Sequence, residues 1–227
     1  MLSRVGARAG AVPAFAAPNR AICYLLTYQN NYVRAVTDTG YQAGAGSAPI
    51  PVELVPHSPL WAGEAGLAAA EVRRRLGPTC TAVHHVGSTA IPGILAKPVI
   101  DLVATVRSLA ALDAAQGALT DGGYRAWGEY GIAGRRYFSL DDSATGRRRV
   151  QLHGFEAGHS VAERLIAFCA YLRAHPEQAR RYERVKQACC ALHPDNSTDY
   201  ARAKDGWIRS LDATVQAWWR PNKPLTQ

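Results

Sequence analysis

From residue 52 onward the apolar positions recur with periods that switch between helix and strand. Residues 59–76 place Leu60, Leu67 and Val72 among alanines, with Glu64 and Glu71 ahead of Arg73, Arg74 and Arg75. That is the charge order a helix dipole favours, and Gly77-Pro78 ends the predicted helix. Residues 82–86 read as a short strand. Residues 99–106 are apolar and β-branched, the pattern of a strand buried on both faces. Residues 108–120 read as a helix closed by Asp121-Gly122-Gly123. Three shorter strands are predicted over 124–127, 135–140 and 149–155, separated by turn residues at 131–134 and 141–146. The remainder is helical. Residues 160–174 repeat Val161, Leu165, Phe168 and Leu172, and His175-Pro176 breaks the pattern. A second amphipathic helix covers 177–192 and a third 199–219, the latter with Tyr200, Trp207, Leu211, Val215 and Trp218 on one stripe. This order predicts an α/β (α+β) fold: a small mixed sheet flanked by helices over 52–158, followed by a C-terminal helical segment over 159–220.

Residues 1–51 carry no sustained period and are expected to form a disordered extension outside the fold. Four arginines stand there against one aspartate, Asp38, and Ala14-Phe15-Ala16 imitates a signal-peptidase site. Pro13 and Pro18 interrupt the apolar stretch, so translation assigned from an upstream start codon outweighs a targeting signal. No apolar run approaches the roughly 18 residues a spanning helix needs, so an integral membrane protein is excluded.

With 227 residues, 48% hydrophobic and 19% charged, the chain has the makings of one globular domain or two small ones. Its net charge of +8 favours phosphate-bearing partners, although a solvated basic surface gives the same figure. The runs Arg73-Arg74-Arg75 and Arg147-Arg148-Arg149 lack interleaved aromatics, which argues against a nucleic-acid footprint. Five cysteines, Cys23, Cys80, Cys169, Cys189 and Cys190, show no C-x-x-C spacing. Neither a disulfide framework nor a zinc knuckle follows, and a reducing cytoplasm is the simple expectation.

The candidate chemistry sits in the run His84-His85-Val86-Gly87-Ser88-Thr89-Ala90-Ile91-Pro92-Gly93-Ile94-Leu95-Ala96-Lys97-Pro98-Val99-Ile100-Asp101-Leu102-Val103-Ala104. A Gly-Ser turn at a strand end lets backbone N–H groups and a hydroxyl approach a phosphate with no Cβ in the way. Lys97 would add positive charge, and Asp101 has the oxygen ligands of a hard-cation site. Taken piecewise, the same residues are a tight turn, a snorkelling lysine and a strand-capping aspartate.

The whole string resembles the GrpB-like family, whose hallmark has the form H-[VI]-G-S-T-[AS]-[IV]-P-G-L-x-A-K-P-[IV]-I-D-[LI]. The resemblance extends from Val52 to about Leu211, with further matches in Val52-Glu53-Leu54-Val55-Pro56-His57-Ser58-Pro59-Leu60-Trp61, Gly134-Arg135-Arg136-Tyr137-Phe138, Tyr171-Leu172-Arg173-Ala174-His175-Pro176, and Tyr200 with Ala203-Lys204. The resemblance implies a nucleotidyltransferase-like fold, in which a Gly-Ser turn binds a nucleoside triphosphate and a D-x-D pair on the next strand holds Mg²⁺. Asp101 matches the first carboxylate, but Val103 stands at the second. Some members of the family are fused to dephospho-coenzyme A kinase, which implies a coenzyme A connection, yet no kinase P-loop is present in this chain.

By this reading Gly87, Ser88, Thr89, Lys97, Arg136 and Lys204 are the candidate phosphate ligands. Asp101 is the candidate catalytic and metal residue, and His85, Arg135 and His153 complete the pocket. Gln151 replaces the first histidine of a family H-x-H element, which weakens a metal role for His153. Strand alternation sends Arg135 and Arg136 to opposite faces, so at most one reaches a pocket. Lys204 falls on the buried stripe of its helix near Trp207 and Ile208, unusual for a lysine unless its head reaches a cleft. Glu129 and Glu156 are the acids that could complete a metal pair. The expected function is binding of a nucleotide or other small phosphorylated molecule, with Mg²⁺-dependent nucleotidyl transfer as its catalytic form. The alternatives are a non-catalytic binding module, or an accessory protein using Trp207, Trp218 and Trp219 as a contact surface.

Overall fold

Alternation along the strands gives the sheet two different faces, and each recruits its own helices. A computed structural model describes residues 51–223; the predicted extension up to residue 50 lies outside the described residues. The first helix, α1 (Leu60–Leu76), leads through a short 3₁₀ turn into strand β1 (Cys80–Val86). Strand β2 (Ile100–Val106), helix α2 (Leu109–Thr120) and strands β3 (Arg125–Ala126), β4 (Arg135–Asp141) and β5 (Arg148–Glu156) follow. Helices α3 (Ser160–Ala174), α4 (Pro176–Leu192) and α5 (Ser197–Asn222) end the described chain.

Every element predicted from periodicity is present, with ends moved by a few residues. The largest contraction is β3, where Gly128 at a φ of 63° turns the chain away after Trp127. The largest extension is α5, whose start is fixed by Asn196: its side-chain carbonyl accepts from the Thr198 and Asp199 amides at 3.0 and 3.2 Å.

The strands lie in the order β1-β2-β5-β4-β3. Only β2 and β5 run parallel; the other pairs are antiparallel. On one face Val83, Leu102, Ala104, Val106, Phe138, Val150 and Leu152 pack with Val72 and Leu76 of α1 and Leu112 and Leu119 of α2. On the other, Val86, Val103 and Phe155 pack with Ala162 and Cys169 of α3. Helices α3, α4 and α5 share a further core of Leu172, Tyr182, Ile208, Val215 and Trp219, into which Ile91 and Ile94 of the loop after β1 insert. Trp207 and Trp218 pack against this core, and Trp207 stacks on Tyr182 at 5.5 Å. Of the three tryptophans considered as a contact surface, Trp219 is a buried member of this core, while Trp207 and Trp218 are partly buried at its edge.

Candidate functional site

Where the loop after β1 meets α4 and α5, the second face of the sheet is left uncovered and forms a cleft of about 160 Å³. Its floor is a cross-strand row. Val86, Asp101 and Gln151 are register partners on β1, β2 and β5, and Ser139 of β4 is the fourth member. The neighbouring row is His84, Val103, His153 and Tyr137. Val103, at the second carboxylate position of D-x-D, thus points to the same face as Asp101 and packs in the apolar cluster beneath α3.

Gly87 supports this floor by having no side chain. Its φ is 75°, and a Cβ there would fall onto the Asp101 carboxylate. The Gly87 carbonyl accepts from Ala90 N at 3.3 Å, closing the turn that brings Ser88 to the cleft wall. Lys97 lines the cleft from the far end of the loop, and Lys204 lines it from α5 with its ammonium 4.0 Å from the centre of the Tyr200 ring. Leu165 of α3, Tyr182 of α4, and Ser197, Tyr200, Ala201 and Ile208 of α5 form the rest of the helical wall. Gln151 is fixed by a relay in which Arg148 donates to the Tyr137 hydroxyl at 3.0 Å and that hydroxyl donates to the Gln151 carbonyl at 2.9 Å.

The charges in this space are set by desolvation. Burial pushes the Asp101 carboxyl up to about 7, opposed by the positive charges of Lys97 and Lys204. Burial and the neighbouring Lys97 bring Lys204 down to about 8, with Asp101 acting the other way. Lys97 is lowered too, by burial, with Asp101 opposing. His153 is fully enclosed and is held well below its usual range by burial and then by Arg135. It stacks on Tyr137 at 5.1 Å, a neutral ring in the wall of the cleft.

Of the residues singled out by sequence, the structure brings Gly87, Ser88, Lys97, Asp101, His153 and Lys204 together. It places four others elsewhere. Thr89 is turned inward, donating to Val99 O at 3.1 Å and bonded to His85 Nε2 at 3.0 Å. Because that hydroxyl gives its proton to Val99, it accepts from His85, and both side chains serve the loop. His85 pairs with Leu102 in register and so faces α1 and α2. Arg136 is on that face as well, in a bidentate ion pair with Asp113 of α2 whose second bond is 2.7 Å. Arg135 is on the cleft side of the sheet but beyond β5, wholly buried against Tyr130 and Tyr137, and it donates to Glu129 O at 3.1 Å. The two acids considered for a metal pair are also elsewhere. Glu129 accepts from Gly134 N at 2.7 Å, and Glu156 is exposed at the end of β5.

The donor set does not fit a magnesium pair. Asp101 is the one carboxylate of the lining, two ammonium groups share the space with it, and two-metal chemistry needs carboxylates to bridge the ions. Among the described residues no group of three or more His, Cys, Asp or Glu is placed to hold a metal.

Two residues missed at the sequence level control the loop. Glu183 Oε1 accepts from Leu95 N at 2.6 Å, and Lys186, 1% exposed, donates from Nζ to Leu95 O. Lys186 continues the buried stripe of Ala179, Tyr182 and Cys189, the same signal that singles out Lys204. Among the described residues no helix is long and apolar enough to cross a membrane.

Comparison with known proteins accords with this architecture. The family described as GrpB protein matches residues 51–214. The UPF0157 protein YqkA of Bacillus subtilis (strain 168) is 36% identical over 167 residues, covering 74% of this chain and 48% of YqkA. A dephospho-CoA kinase of Mycobacterium leprae is 31% identical over 193 residues, covering 74% of this chain and 47% of the kinase. The chain therefore spans about half the length of these two relatives. The crystal structure of GrpB from Enterococcus faecalis superimposes with a TM-score of 0.67 at 28% identity, over 74% of this chain and 100% of that one. The Cid1 poly(U) polymerase aligns over 65% of this chain and 49% of that one, at 13% identity and a TM-score of 0.45.

Proposed function

The chain belongs to the GrpB family, and on that premise we propose that its cleft binds the phosphoryl end of a nucleotide or other small phosphorylated molecule. One observation carries the reading. Lys97 and Lys204, from opposite parts of the chain, converge with the Gly87-Ser88 turn on a space that contains a single carboxylate. Holding two ammonium groups in a desolvated cleft is costly, as the lowering of both lysines records. An anionic ligand recovers that cost. Gly87 allows close approach of the turn, Ser88 supplies a hydroxyl, and Lys97 and Lys204 neutralise charge.

Binding, rather than nucleotidyl transfer, is the function this lining supports. The metal pair that would clamp attacking and leaving oxygens has no second carboxylate here. Compounds of the coenzyme A series belong among the ligands to be tried, since relatives named dephospho-CoA kinase contain a stretch similar to this chain. We place the protein in the cytoplasm, a location supported by the free thiols of Cys80, Cys169, Cys189 and Cys190.

The test is a thermal-shift screen against nucleoside triphosphates, coenzyme A and its precursors, with and without Mg²⁺. A ligand of the native state raises the melting temperature by mass action. At least one phosphorylated compound should do so for the wild type and fail for Lys204→Met. A screen in which no phosphorylated compound moves the melt, or in which Lys204→Met responds like the wild type, would remove the proposal.

A further inference from the structure

We infer that the cleft takes its phosphoryl ligand as a free anion, without a divalent cation, and that Asp101 is the counter-charge of the lysines rather than a metal ligand. This rests on the phosphate-binding reading above and specifies the form in which the ligand is bound.

Three observations support it. The first is the charge inventory. The ionisable groups lining the cleft are Lys97, Asp101, His153, Lys204 and the phenols of Tyr182 and Tyr200. His153 is held neutral by burial, and both phenols are raised above their usual range, again by burial first. Two ammonium groups against one carboxylate leave the space cationic. A magnesium ion entering it would meet one anionic oxygen donor and two like charges, where it ordinarily keeps several oxygens at about 2.1 Å. The lysines occupy the electrostatic role that metal ions play for polyphosphates, and they have the better claim to a ligand's oxygens.

The second is the position of Asp101. It stands in the row between Val86 and Gln151, directly against the Cα of Gly87, with Lys97 and Lys204 as its charged neighbours. Among the described residues no hydrogen bond or ion pair within 4.0 Å engages the Asp101 carboxylate or the Lys97 ammonium. The three charges are held apart around a gap instead of being collapsed into an ion pair, an arrangement in which an incoming anion competes with Asp101 for the lysines.

The third is size. A cavity of about 160 Å³ is roughly half the lower limit of about 300 Å³ usual for sites that enclose drug-sized molecules. It has room for a phosphate or pyrophosphate group, with the rest of a larger ligand lying outside. The wall at Ser197 is also the first turn of the 26-residue helix α5, whose positive end favours an anion.

The two roles of Asp101 give opposite signs on substitution. A metal ligand lost in Asp101→Asn abolishes cation-dependent binding; a counter-charge lost in the same variant strengthens anion binding. The experiment is titration calorimetry of the full chain with pyrophosphate, in EDTA and in excess Mg²⁺, for wild type, Asp101→Asn, Lys204→Met and Lys204→Arg. In EDTA the wild type should bind, Asp101→Asn should bind roughly tenfold tighter, and Lys204→Met should lose tenfold or more while Lys204→Arg recovers part of it. Excess Mg²⁺, which sequesters pyrophosphate, should weaken binding by the wild type. Binding that appears only with Mg²⁺ and vanishes in Asp101→Asn would overturn the inference while leaving the cleft a phosphate site. Failure of every variant to bind pyrophosphate in EDTA, while a nucleotide in the thermal screen still shifts the wild type, would overturn the inference alone. Failure of both experiments would remove the underlying reading. If Asp101→Asn lowers the ligand-free melt, Asp101→Ser gives the same comparison, and the wild-type arms with and without Mg²⁺ decide the question by themselves.

Discussion

At Asp101 and Lys204 the same physical cause acts with opposite sign. Desolvation penalises whichever form is charged, so it raises the acid to about 7 and lowers the base to about 8. Between about pH 4 and 7 the folded state therefore binds a proton at Asp101 that the unfolded chain does not. Linkage then requires stability to fall as pH rises through that window. For Lys204 the unfolded chain binds the extra proton between about 8 and 10.5, and stability rises with pH there. Asp101 and Lys204 together contribute least between about pH 7 and 8, between these two windows. Replacing Asp101 by Asn removes the falling limb. Urea melts of the two proteins at pH 5 and pH 7.5 should show the wild type gaining relative to the variant at the lower pH. The gain should be on the order of 2 kcal/mol, less than the full shift implies because the carboxylate still meets water in the cleft. The other ionisable groups titrate in both proteins and largely cancel. A difference between the two that stays the same at both pH values would mean that Asp101 is ionised throughout.

At the scale of elements, the loop between β1 and β2 is held at successive points. Thr89 bonds to Val99 O, Leu95 is clamped by Glu183 and Lys186, and Ala96 exchanges both backbone bonds with Val55 at 2.9 Å. Lys97 follows directly, so the anchors that shape the loop also aim its lysine. Lys186→Met keeps the apolar stem on the helix stripe but leaves the Leu95 carbonyl without its donor, a change that should cost about 1–3 kcal/mol. If the clamp positions Lys97, amide exchange at Leu95 and Ala96 should accelerate and pyrophosphate affinity should fall several-fold at temperatures where the variant is fully folded. Lost stability with unchanged affinity would make the clamp a packing device only. Periodicity disclosed these helices and strands well because each buries one regular face. Which residues meet across the fold was far less legible. Alternation showed that Arg135 and Arg136 part company, but Arg135 is removed from Asp101 by the insertion of β5 between β2 and β4 and by a register that sets it opposite Phe155, four residues along β5 from Gln151, and both are properties of the sheet. Lys204 was found because it interrupts an apolar stripe. Lys186 does the same and was legible on the same ground, whereas the facing of Gln151, Tyr182 and Ser197 into one cleft is written in no local pattern.

Over the whole molecule the segment just before α1 works as a strap. Val52 is buried with Cys189 and Tyr200, its amide donates to Pro194 O at 2.7 Å, and Val55 pairs with Ala96 beside the cleft lysine. Glu53 reaches Arg147 at 3.2 Å. The strap thus joins the α4–α5 junction, the β4–β5 turn and the cleft loop, which lie far apart in sequence. The family match also begins at residue 51. Residues 51–223 should therefore be sufficient for the fold. A chain beginning at Pro51 is expected to melt with the full-length protein and to bind pyrophosphate equally well. A chain beginning at His57 loses the Val52 side chain from its cluster, the bond to Pro194 and both bonds to Ala96. That loss should destabilise it by on the order of 3 kcal/mol and weaken binding more than the distance of these residues from the cleft floor suggests, because Ala96 precedes Lys97. Circular-dichroism melts and calorimetry on the two shortened chains separate the possibilities. Failure of the chain beginning at Pro51 to fold would show that the earlier residues belong to the structure, and equal behaviour of the two shortened chains would show that the strap holds nothing.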